Sequence, residues 1–166
     1  TASYTLVQKL GNQPALNCES AFEDGFIRTE IAGQIIFIAN VRTGETLQLV
    51  PAQKIATRGK ADQHGAGAAP TIADVMKEMT EDQGTYIETI KQSDGTKVDL
   101  YRVSQLPAFM GAGKIAEDDV FHVWVDPQTN LPTRIKLRTT TGPQNTSIEM
   151  DFSNFHWNVE FPEDYF

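Results

Sequence analysis

The 166-residue sequence holds one cysteine, Cys18, and three histidines, His64, His122 and His156. A single thiol excludes an intrachain disulfide and any multi-cysteine zinc site. The histidines show no His-x-x-x-His spacing, and only His122 and His156 lie where neighbouring strands would bring them together. Cations are scarce too: 14 Lys and Arg against 22 Asp and Glu leave a net charge of −8. A chain of that balance lacks the basic footprint of a nucleic-acid binder and does not attach to anionic lipid by charge alone. No apolar run approaches the roughly 20 residues that span a bilayer as a helix. Gly-x-Ser-x-Gly, P-loop and dinucleotide fingerprints are absent. Gly65-Ala66-Gly67 has no strand before it, and Cys18 has no basic neighbour to lower its pKa. The expectation is a protein that is not an enzyme, with no catalytic residue, no metal ligand and no cofactor.

What is present is β pattern. Phe121, Val123 and Val125 alternate with His122 and Trp124, the period of a strand with one buried face. Asp126-Pro127-Gln128-Thr129-Asn130 supplies the residues of a reversal. Ile135 and Leu137 then alternate with Arg134, Lys136 and Arg138. Beyond a turn at 141–145, Ile148, Met150 and Phe152 alternate with Glu149 and Asp151. The basic outer face of one strand is thus set beside the acidic outer face of the next, where cross-strand pairs form. Phe155, Trp157, Val159 and Phe161 continue the alternation as a fourth strand. Upstream, strands are expected at 4–10, 15–22, 26–31, 35–39 and 46–50, with a short edge strand at 54–57. Ile35 to Ala39 is apolar on both faces and reads as a central strand covered on each side. A further hairpin joins 86–90 to 98–103 across Asp94-Gly95.

Residues 58–70 shift to Gly, Ala and charge and read as a mobile loop. Thr71 caps a helix over 71–83, with Ile72, Val75, Met76 and Met79 on one face. Its two methionines suit either ordinary core packing or an adaptable surface for a ligand. Glu117-Asp118-Asp119 and the carboxylates of the helix read as solvated charge. Ten or so strands, one helix and no βαβ alternation exclude a doubly wound fold. The expected class is mainly β (α+β): one domain over 1–166, built on a highly curved antiparallel sheet, a sandwich or a barrel.

The run from Phe121 to Leu137, with Asp126-Pro127-x-Thr129-x-Leu131-Pro132 between two strands, resembles the hairpin of periplasmic lipoprotein-carrier (LolA-like) domains. These are related to the RseB-type regulators of extracytoplasmic stress sigma factors. Asp151 to Val159 and Pro162 to Phe166 are similar to that family's closing strand and exit segment. Gly25 to Glu30, Gly33 to Ile38, Thr43 to Leu49 and Pro51 to Ala56 follow its consecutive strands, so the resemblance covers nearly the whole chain. It implies an unclosed half-barrel with one or two helices over a concave apolar face that receives acyl chains. The chain departs from the carriers in starting within a strand. Their N-terminal helix is therefore missing, which leaves a more open cavity, or lies upstream of Thr1. Some carriers lock the lid with a cavity arginine, and Arg28 occupies the corresponding early strand.

Two functional expectations follow. One is a periplasmic or otherwise extracytoplasmic domain, such as a lipoprotein carrier or chaperone, that binds the acyl chains of a lipoprotein or lipid. Ile36, Ile38, Met76, Met79, Ile135 and Leu137 would line the site, with Arg28 beside them. The alternative is a regulatory or sensor domain of an anti-sigma or stress-response system, anchored in the membrane through a segment upstream of Thr1. In that role it would contact a membrane-anchored protein partner. Neither expectation involves nucleic acid.

Overall fold

The computed structural model describes residues 1–23, 25–40, 42–60, 84–106, 113–114, 119–141 and 146–166. The expected helix over 71–83, Met76 and Met79, and the expected loop beyond residue 60 lie outside them. Period-2 alternation becomes strand almost wherever it occurs. The strands are β1 (Ala2–Leu10), β2 (Leu16–Glu23), β3 (Phe26–Ile31), β4 (Ile35–Asn40), β5 (Glu45–Val50) and β6 (Ile55–Lys60). After them come β7 (Gly84–Lys91), β8 (Lys97–Val103), β9 (Gln105–Leu106), β10 (Gly113–Lys114), β11 (Val120–Asp126), β12 (Leu131–Thr141) and β13 (Thr146–Trp157). Among the described residues the only helical piece is a 3-10 turn at Pro51–Gln53.

Eleven strands form one sheet in the order β6-β5-β4-β3-β2-β1-β13-β12-β11-β8-β7, and β9 pairs with β10. The order ends in two strands with a single neighbour each, so the sheet is unclosed. This is the mainly β, antiparallel class that the sequence indicates. The chain divides into two compact units: Thr1–Leu6, Leu16–Ala69 and Asn154–Phe166 in the first, Val7–Ala15 and Pro70–Ser153 in the second.

In the second unit, β11 pairs with β12, β12 with β13, and β8 with both β11 and β7. Residues paired across strands share a face. One face therefore carries the row Tyr86, Tyr101, Val123, Ile135 and Phe152, with Phe121, Leu137 and Met150 in the next row. Val103, Phe121, Val123, Val125 and Leu137 are buried as the core. Burying each such side chain stabilises by about 1.5–3 kcal/mol. The opposite face carries Arg134 against Asp151, with Nε 2.9 Å from Oδ1, and Arg138 3.7 Å from Glu149. Those are the cross-strand ion pairs expected from the charge alternation.

In the first unit, the register from β2 to β6 aligns Ala21, Arg28, Ile38, Leu47 and Arg58 on one face. The row beside it is Glu19, Glu30, Ile36, Leu49 and Ala56. The other face holds Ser20, Thr29, Phe37, Gln48 and Thr57. Ala2, Cys18, Ser20 and Ala21 are buried.

Four expectations need correction. β4 is flanked by β3 and β5 as a central strand should be, but no residue of it is fully buried and Phe37 is 37% exposed. Its neighbours toward the β6 edge are likewise uncovered: every residue of β5 is half-buried or exposed, and every residue of β6 is exposed. No separate strand runs over 155–161: β13 continues through Asn154, whose φ of 54° kinks it, and ends at Trp157. β6 extends to Lys60, so 58–60 is strand and not loop. His122 and His156 do not meet on neighbouring strands, because β12 separates β11 from β13.

Candidate functional site

Ile135 and Leu137 come together on the apolar face of the second unit. Leu137 is sealed in the core, and Ile135 is half-buried against it. Phe121 and Val123, at 0% exposure, close the middle of this face. Its margins stay open. Tyr86 is 52% exposed, and Ile148, Met150 and Phe152 on β13 are half-buried. The Tyr86 and Tyr101 rings meet edge to face at 5.8 Å, and burial pushes the Tyr101 phenol above its usual pKa, with Asp99 and Tyr86 adding to the shift. Ile148, Met150, Phe152 and Tyr86 were not among the residues expected to line a site. Their alternation was visible, but nothing in it separates a sealed rank from an open one.

Ile36, Ile38 and Arg28 come together in the first unit, on one face of β3 and β4. Arg28 is 14% exposed at its side chain and fully engaged. Nη2 donates to Glu30 Oε2 at 3.0 Å, Nη1 donates to the Tyr165 hydroxyl at 3.4 Å, and the guanidinium lies 4.6 Å from the Tyr165 ring centroid. Tyr165 stacks on Phe161 at 4.8 Å, and Phe166 reaches Phe26 of β3 at 6.4 Å. The C-terminal segment is thus held on the face that carries Arg28. Sequence reasoning missed this, since the partners are 137 positions apart.

Further titratable groups among the described residues are shifted by their surroundings. Burial pushes the Cys18 thiol above its usual pKa, which keeps it protonated and a poor nucleophile. Burial raises the Tyr4 phenol likewise, with a hydrogen bond from Ser20 working the other way and Cys18 adding to the rise. His122 is depressed, first by burial and then by Arg102 and Lys136, its partners on β8 and β12. Among the described residues no group of three or more His, Cys, Asp or Glu is placed to hold a metal ion. Among them, too, no helix is long and apolar enough to cross a membrane.

No family model matches the chain, and no curated protein matches it. Similar solved structures include a lipoprotein-sorting domain and MucB. A domain described as that of an outer membrane lipoprotein-sorting protein, from Vibrio parahaemolyticus, is 12% identical with a TM-score of 0.39; the match covers 98% of this chain and 87% of that one. The MucA/MucB complex of Pseudomonas aeruginosa is 14% identical with a TM-score of 0.44, covering 98% of this chain and 53% of that one. MucB bound to MucA(peri) is 15% identical with a TM-score of 0.39 and the same 98% cover, over 52% of its length. The chain therefore spans about half the length of these MucB chains. At such scores and identities the likeness is too remote to carry a function across.

Proposed function

We propose that this chain is a non-enzymatic, extracytoplasmic domain that binds a hydrophobic ligand, the acyl chain of a lipoprotein or lipid. The observation that supports it is the uneven burial of one apolar face. Phe121 and Val123 are sealed, whereas Tyr86, Ile148, Met150 and Phe152 stand open or half-open around them. Open apolar margins beside a sealed core suit a ligand that adds its own apolar surface. Each buried CH₂ contributes about 0.8 kcal/mol, so about ten methylenes reach the 8 kcal/mol scale of micromolar affinity. Met150 offers an adaptable contact for chains of different shape. The sequence resemblance to lipoprotein carriers supports the same ligand class. Ile36 and Ile38, beside the engaged Arg28, form a second apolar surface in the first unit.

The test is native mass spectrometry of gently purified protein, with organic extraction and lipid analysis, followed by titration with a fluorescent fatty acid. A stoichiometric acyl species, or micromolar probe binding that Phe152→Ser weakens about tenfold, is expected. An empty protein that also fails to bind the probe would remove the proposal.

A further inference from the structure

An unclosed sheet has two edges, and here they are unlike. β7 carries a bulge, since Ile87 falls between Tyr86 and Glu88 without a partner of its own on β8. A bulge of that kind twists an edge away from a prospective partner. β6 has no such device. Its residues make six consecutive register pairs with β5, from Val50↔Ile55 to Glu45↔Lys60, with no shift. No proline interrupts it, and all six residues are exposed. Gly59 lies close against β5: a Cβ there would stand 2.9 Å from Thr46 Oγ1, so a larger residue would force that hydroxyl to move. The outward N–H and C=O groups of such a strand form a template for another extended segment.

The charge of this edge runs against that of the chain. β6 carries Arg58 and Lys60 with Lys54 just before it and no carboxylate, in a protein of net charge −8. A second copy pairing antiparallel through its own β6 would bring four cations onto one short ladder, which like-charge repulsion opposes. An acidic segment meets the opposite situation.

We propose that β6 is a docking edge for an extended acidic peptide segment of another protein, added to the sheet as a further antiparallel strand. Backbone hydrogen bonds to Ile55–Lys60 hold the segment, and Arg58 and Lys60 select its charge. The edge lies in the first unit and is independent of the hydrophobic-ligand proposal; each stands or falls alone.

The experiment uses the whole ¹⁵N-labelled chain with three synthetic octapeptides. The first alternates Val or Thr with Glu, the second replaces every Glu by Lys, and the third is the acidic peptide broken by two prolines. The acidic peptide is expected to shift the amides of Ile55–Lys60 and slow their hydrogen exchange. The other two should bind at least about fivefold more weakly. Arg58→Glu with Lys60→Glu should weaken the acidic peptide about tenfold, and the milder Arg58→Gln with Lys60→Gln somewhat less. Three outcomes would each overturn the proposal: no change at 55–60 with millimolar acidic peptide, equal binding of the lysine peptide, or protection of β6 that rises with protein concentration alone. The last would mean that a second copy takes the edge.

Discussion

Ala32 holds a φ of 50° and Gly33 one of 66°, the pair of left-handed dihedrals at the centre of a type I′ turn. Three of the other positive-φ residues, Asn130, Asn154 and Asn158, are asparagines, which tolerate that region. Alanine does not. Ala32→Asn should therefore stabilise the protein by about 0.5–1 kcal/mol, read as a raised urea midpoint. Gly95 gives the converse. Its φ is 88° and a Cβ would meet nothing within 4 Å, so Gly95→Ala tests backbone strain alone and should cost about 1 kcal/mol. His122 bears on pH. Its folded pKa is depressed, so the unfolded chain takes up the proton first, and stability should fall as pH drops below about 6.5. His122→Gln should flatten that part of the stability–pH curve. Arg102→Gln should bring the His122 titration, followed by NMR, back toward the ordinary value.

At the scale of elements, the hairpins were legible because each combines an alternating pattern with a turn whose chemistry is local. Asp126 accepts from the Gln128 N–H at 2.8 Å, and the Asn130 N–H donates back to the Asp126 carbonyl at 2.8 Å, as the Asp-Pro-x-Thr-Asn composition implies. The kink at Asn154 did leave a mark, because the apolar alternation changes phase there, from Ile148, Met150 and Phe152 to Phe155 and Trp157, but that break reads equally as the start of a new strand. Nor could the pattern place the C-terminal segment, because its partners are remote in the chain. Its attachment through Arg28 makes a sharp prediction. Arg28→Ala leaves Glu30, 33% exposed at its side chain, without its partner and should cost about 2 kcal/mol. Tyr165→Phe keeps the ring under the guanidinium and loses only a 3.4 Å hydrogen bond, so it should cost about 0.5 kcal/mol. Urea unfolding of both variants checks the ratio.

At the scale of the whole molecule, the class was readable and the distribution of burial was not. Alternation marks which face is apolar, but it does not show which apolar face is covered. The second unit seals whole aromatic and branched side chains, Phe121, Val123 and Val103, whereas the first buries mainly small ones, Ala2, Cys18, Ser20 and Ala21. Amide exchange should accordingly be slowest in β8, β11 and β12 and fastest in β6, where every residue is exposed. Slower exchange in β6 than in β11 of the isolated protein would contradict this ranking. The division into two units was hidden for another reason: β1 and β13 each contribute residues to both. These two strands, the first and last of the chain, are also neighbours in the sheet order, and the Asn158 N–H donates to the Thr1 carbonyl at 3.1 Å. Of all the neighbours in the sheet these two are the furthest apart in sequence, so their pairing closes the longest loop, carries the largest entropic cost and should be among the last contacts to form on folding.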